Sequence, residues 1–125
     1  MRVLLDTHVF LWVVSDSPRL NAKTRQMIDG AASIHVSSAT IWEVAIKARL
    51  GKIGAIPEEL LDEIEKCGFK ELQVSGKHAV GVANLPLHHA DPFDRILVAQ
   101  AVREQMRLLT SDSLLRIYSD LVECI

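Results

Sequence analysis

Short apolar runs alternate with helix-length segments along the whole chain, and that alternation constrains the fold more than any other feature. Residues 2–6, 33–37, 69–74, 107–110 and 121–125 read as five strands, each bounded by turn or cap signals. Between them lie segments with helical punctuation. Residues 7–14 are apolar and too long for a loop, and Ser15-Asp-Ser-Pro18 breaks the chain after them. Asn21 caps a helix that Gly30 stops, and Ser38 is the expected N-cap of a helix over 39–50 with Gly51 just past its end. Pro57 opens a helix over 58–66 that ends at Gly68, and another spans 77–85 up to Pro86. After a polar loop at 87–90, Asp91-Pro92 supplies an N-cap and first position for a helix running to about Gln105, and 113–118 is a short helix. Strands alternating with helices mean βαβ units. The expected architecture is a three-layer α/β/α sandwich around a mostly parallel five-stranded sheet. At 125 residues and 49% hydrophobic content the chain fits one domain, 1–125, with enough apolar side chains for a real core.

A net charge of −2 argues against a protein that coats nucleic acid electrostatically, although an enzyme needs only a local basic rim. No apolar stretch reaches the ~20 residues needed to cross a bilayer, and the N-terminus meets Asp6 too soon for a signal peptide. A cytoplasmic domain without membrane attachment is expected. Cys67 and Cys124 lie far apart, in no metal-ligand spacing, and read as reduced thiols.

Four acidic residues stand where these elements meet turns. Asp6 ends the first strand, Glu43 lies just over one turn into the helix after the second strand, Asp94 is in the first turn of the helix leading to the fourth strand, and Asp112 follows that strand. In a βαβ unit the helix starts lie at the same edge as the carboxyl ends of the strands, where ligands of such sheets bind. Each acid also has a structural reading. Asp6 can end a strand, Glu43 can pair with Lys47 at i,i+4 for ~0.3–0.5 kcal/mol, and Asp94 and Asp112 suit helix starts. Taken together, four acids on one edge point to a pocket that needs a hard cation to cancel their repulsion. Oxygen-only ligands suit Mg²⁺ or Mn²⁺. Asp91 is an N-cap and a possible auxiliary. The histidines form no zinc motif: His88 and His89 are expected in a polar turn, His8 facing core or solvent with an approach to the pocket as the alternative, and His35 and His78 without a role.

At these residues the sequence resembles the PIN domain family, and within it the VapC-like toxins of prokaryotic toxin–antitoxin pairs. The stretches are LLDTHVFLW (4–12), SSATIWEVAIKARLGKI (37–53), HHADPFDRILVAQA (88–101) and LLTSD (108–112), in the family's order and spacing. The resemblance implies a Mg²⁺- or Mn²⁺-dependent ribonuclease that acts on RNA, is neutralised by a cognate antitoxin and forms a homodimer. The family's acidic quartet falls on Asp6, Glu43, Asp94 and Asp112, with Thr7 beside the first acid and Thr110 before the last. Of the two acids in HHADPFDR, Asp94 takes the metal. Ser111 stands where many members carry a bulkier or basic residue.

The leading expectation is therefore metal-assisted hydrolysis of RNA, with Asp6 and Asp94 on the principal ion and Asp112 and Glu43 completing the site. Lys47 and Arg95 either touch substrate phosphate or pair with the local carboxylates. Two other classes remain. Phosphoryl transfer through an aspartyl phosphate wants a second Asp two residues after the first, where this chain has His8. A non-catalytic RNA- or partner-binding module would keep the acids and use apolar residues near Phe10, Leu11 and Trp12 as a partner groove.

Overall fold

Five strands form one sheet in the computed structural model, which describes residues 1–125. Strands β1 (Arg2–Leu5), β2 (Ser33–Ser37), β3 (Lys70–Leu72), β4 (Arg107–Thr110) and β5 (Val122–Cys124) stand in the order β3-β2-β1-β4-β5. Every neighbouring pair is parallel, so the sheet is wholly rather than mostly parallel. Six α-helices connect them: α1 (Thr7–Val14), α2 (Ala22–Asp29), α3 (Ser38–Arg49), α4 (Pro57–Lys66), α5 (Gly76–Ala83) and α6 (Pro92–Glu104). Ser113–Tyr118 is a 3-10 turn. No helix is long and apolar enough to cross a membrane.

Strand alternation divides the core into two layers. Val3 and Leu5 of β1, Ile34 and Val36 of β2 and Leu109 of β4 pack with Val9, Phe10, Val44, Leu60 and Ile64 from α1, α3 and α4. Leu4 and Leu108 point the other way, against Leu97, Val98 and Ala101 of α6 and Leu115 of the 3-10 turn. The sandwich therefore has α1 to α4 on one face and α6, with α5 packed on it, on the other.

Several boundaries differ from the expectations for local reasons. Strand β3 is an edge strand that pairs only Lys70, Glu71 and Leu72 with β2, which shortens it from the expected 69–74. Helix α5 begins at Gly76 because Ser75 caps it, in a capping box closed by the His78 side chain. Strand β5 keeps three residues of the expected 121–125. Ser37, not Ser38, caps α3, because β2 runs into the helix with no intervening loop and its last residue becomes the cap. Its hydroxyl accepts the Ala39 amide at 3.0 Å, while Ser38 accepts the Val74 amide at 3.1 Å. Ser37→Ala should lower stability by about 1 kcal/mol, read as a shift in the urea midpoint, whereas Ser38→Ala should cost less. Gly51 and Gly68 adopt φ of 73° and 77°, the left-handed positions that end α3 and α4.

The partner groove of the alternative reading does not form, and the helix packs as core. Phe10 is fully buried, and Leu11 and Trp12 pack partly buried on the same core layer. The exposed tryptophan is Trp42 of α3, whose ring meets Phe93 edge-on at 5.0 Å. Both cysteines are free thiols.

Candidate active site

The chain leaves β1 for strands on one side of the sheet and returns through β4 on the other, so the crevice beyond the carboxyl ends of β1 and β4 is a topological switch point. Asp6 lies there. Its amide continues the ladder by donating to the Leu109 carbonyl at 2.9 Å, and its side chain caps α1 by accepting the Val9 amide at 2.9 Å. Its other carboxylate oxygen accepts the hydroxyl of Thr110, at the end of β4. Thr110 in turn accepts the Asp112 amide at 3.0 Å, so one buried hydroxyl links the first and last acids of the site.

Glu43 enters from α3 and is buried. One of its oxygens accepts the Thr7 hydroxyl at 2.7 Å, and because that donates the only hydroxyl proton of Thr7, the 3.0 Å contact with Thr40 runs from Thr40 to Thr7. The other oxygen pairs with Lys47 at 2.6 Å. Lys47 is therefore bound to a carboxylate, the second of its two sequence readings, and that hydrogen bond pushes its pKa up. Asp94 projects from the first turn of α6, and Asp91 caps that helix by accepting the Phe93 amide at 2.9 Å. Asp112 caps the 3-10 turn through the Leu114 amide at 2.9 Å.

These side chains share one cavity of about 310 Å³ lined only by polar and charged residues. Asp6, Thr7, Glu43, Lys47, Asp91, Asp94 and Asp112 all face it, joined by Ser111 and His8. Thr110 sits behind Asp6, and His8 lies at the rim rather than facing only solvent or core. Larger depressions of about 730 and 580 Å³ hold none of these acids.

Arg95 behaves as neither sequence reading had it. It is buried and makes no ion pair; its guanidinium donates to the carbonyls of Pro86 (2.9 Å), Val82 (3.2 Å), Leu85 (3.4 Å) and His89 (3.4 Å) and to the Tyr118 hydroxyl (3.2 Å). It fastens the end of α5 and the following loop to α6. That loop delivers a residue the sequence reading left in a polar turn: the His89 Nε2 lies 2.7 Å from Asp94 and 3.6 Å from Asp112. The spacing of His89 five residues before Asp94, across a proline-started helix, was the available signal.

The electrostatics are unbalanced. Five carboxylates face the cavity with one lysine among them. Burial pushes the Asp6 pKa up, more strongly than its hydrogen bonds from Thr110 and Val9 pull it down. Burial also raises Asp94, with the His89 contact opposing and the Asp91 and Asp6 charges reinforcing. An oxygen-rich, anionic, half-desolvated cavity fits a hard divalent cation.

A model of the PIN domain family matches residues 3–121. The chain belongs to the PIN domain family. Among curated proteins, this PIN domain is 31% identical over 120 residues to "Ribonuclease VapC22" of Mycobacterium tuberculosis, an alignment covering 91% of this chain and 89% of that protein. Among solved structures it is similar to a chain of VapBC2 from Rickettsia felis bound to a promoter DNA fragment, with a TM-score of 0.72 at 15% identity over 99% of this chain and 98% of that one. A chain of a toxin–antitoxin complex from Klebsiella pneumoniae gives a TM-score of 0.68 at 17% identity over 97% and 95% of the two chains. At those identities the structural likeness concerns the fold, and it agrees with the parallel α/β sandwich described above.

Proposed function

We propose that this PIN domain is a divalent-metal-dependent endoribonuclease and the toxin of a toxin–antitoxin pair, with a cognate antitoxin and a second copy of itself as partners. The observation that carries the reading is the convergence of Asp6, Glu43, Asp94 and Asp112 on one hydrophilic cavity at the sheet's switch point. The identity to a protein named as a ribonuclease, and the fold shared with chains of toxin–antitoxin complexes, support it.

Asp6 and Asp94 are the groups we assign to the principal Mg²⁺ or Mn²⁺ ion, with Asp112 and Glu43 completing its surroundings. Bound there, the ion supplies Lewis acidity toward the scissile phosphate and acidifies the attacking water. The chain does the positioning. Thr110 fixes Asp6 and Asp112 relative to each other. Thr7 and Lys47 hold both oxygens of Glu43.

The test is cleavage of single-stranded RNA by the purified protein with Mg²⁺ or Mn²⁺, with and without chelator. Cleavage that needs the ion, and growth arrest on expression relieved by the product of a neighbouring small reading frame, are the expected results. Cleavage persisting in chelator would remove the metal assignment. Labelling by a small phosphodonor would instead favour aspartyl phosphorylation.

Proton linkage gives a further check. The pKa values of Asp6 and Asp94 are raised above the ordinary 3.8, so the metal-free folded protein holds protons that the unfolded chain has released. Stability of the metal-free form therefore falls as pH rises from about 3.8 through the raised values. The ion displaces those protons, so its affinity rises over the same window. The thermal shift produced by Mn²⁺ should grow as pH is raised from about 3.8 through those raised values. A shift that shrinks would contradict the assignment of Asp6 and Asp94.

A further inference from the structure

We infer that His89 is a nitrogen ligand of the same metal site, and that it makes the site favour Mn²⁺ and similar transition ions over Mg²⁺. The inference rests on the proposed function only in taking the acidic cavity to be a metal site.

Three donor atoms converge here: one ring nitrogen of His89 and one oxygen each from Asp94 and Asp112, all within 4.8 Å of one another. Ligands about 2.1 Å from a common ion lie roughly 3.0 Å apart when adjacent in octahedral geometry. The His89 separations of 2.7 and 3.6 Å from Asp94 and Asp112 bracket that spacing. All three side chains are partly buried. As a ligand, Nε2 would have to be the unprotonated ring nitrogen, with the ring proton on Nδ1.

The placement is built, not incidental. The His89 carbonyl is held by the buried Arg95 at 3.4 Å and by the Tyr118 hydroxyl at 3.5 Å. Arg95 also fixes the carbonyls of Val82, Leu85 and Pro86 on the approach to the loop. The neighbouring His88 ring lies tilted against Tyr118, with ring centroids 5.6 Å apart. Two adjacent histidines thus have separate tasks, and only His89 reaches the carboxylates.

The chemical consequence is selectivity. Mg²⁺ prefers oxygen and keeps much of its water, whereas imidazole suits the later first-row ions. An all-carboxylate PIN site has little reason to discriminate; one with a histidine does.

The experiment compares wild type with His89→Gln by calorimetric titration with Mn²⁺ and Mg²⁺ and by pulsed electron paramagnetic resonance of the Mn²⁺-loaded protein. Wild type should show strong modulation from a directly bound ¹⁴N. The variant should lose that signal while still binding Mn²⁺, with Mn²⁺ affinity reduced about tenfold or more and Mg²⁺ affinity changed far less. Circular dichroism confirms that the variant is folded; His89→Ala is the second variant if glutamine's amide oxygen takes over as ligand. Mn²⁺ bound to wild type without direct nitrogen coupling would overturn the inference and leave the proposed function standing. An equal loss of both ions' affinity on substitution would also overturn it. Failure of wild type to bind either ion would overturn both.

Discussion

Asp6→Asn should reduce RNA cleavage by at least about 10³-fold, equivalent to roughly 4 kcal/mol of lost transition-state stabilisation, without unfolding the protein. Asparagine has nearly the shape of aspartate. Its amide oxygen still accepts the Val9 amide that caps α1, and its NH₂ group faces Thr110. What disappears is a negative charge buried among carboxylates, which burial already disfavours. The melting temperature of the metal-free protein should therefore stay level or rise at neutral pH, while the thermal shift on adding Mn²⁺ collapses. Opposite movement of metal-free stability and catalysis separates a site residue from a structural one. A variant that melts well below wild type, or one that cleaves nearly as fast, would remove Asp6 from the centre of the site.

Arg95→Met is expected to have the largest effect on folding. Methionine retains the aliphatic body but leaves the carbonyls of Leu85 and Pro86 without a donor, and those of Val82 and His89 with only the Leu85 amide and the Tyr118 hydroxyl. Hydrogen bonds to a charged group contribute about 1.5–3 kcal/mol each, and relief of the guanidinium's own burial offsets part of the loss. A net destabilisation of about 3 kcal/mol follows, or a fall in Tm of roughly 10 °C for a chain of this size. Arg95→Lys should recover only part of it, because a single ammonium cannot span acceptors arranged around a planar fork. If Arg95 instead contacted substrate, Arg95→Met would leave Tm unchanged and weaken RNA binding. Chemical denaturation together with RNA titration distinguishes the two outcomes.

Most of the architecture was legible in the amino-acid order because the punctuation is local. Asn21, Gly30, Gly51, Pro57, Gly68 and Asp91-Pro92 each act on the chain beside them, and the structure places helix ends within a few residues of those signals. The acids were legible for a different reason: parallel topology alone sends strand ends and helix starts to one rim. Their shared cavity follows from connectivity before any side-chain contact is known.

What escaped was decided by contacts distant in sequence. Arg95 looked like a surface cation beside an acid, yet its acceptors come from α5, the following loop and Tyr118. Burial of an arginine among carbonyls leaves no periodic or compositional trace. His89 was hidden likewise, since its orientation depends on that same guanidinium. Phe10, Leu11 and Trp12 read first as core and only second as a partner groove, and α1 packs against α3 and β4 as core. The Ser37 and Ser38 hydroxyls differ only in which comes last in the strand, a distinction of one residue that strand pairing makes and propensity does not.

The hydroxyl that steadies Asp6 belongs to a residue 104 positions later in the chain, on a strand that must dock beside β1 before the cavity exists. During synthesis the ribosome releases Asp6 and Glu43 long before Asp94, Thr110 and Asp112. A nascent polypeptide ending after β3 carries only Asp6 and Glu43 of the four converging acids, on an unfinished rim. The cavity is therefore completed only with the last third of the chain.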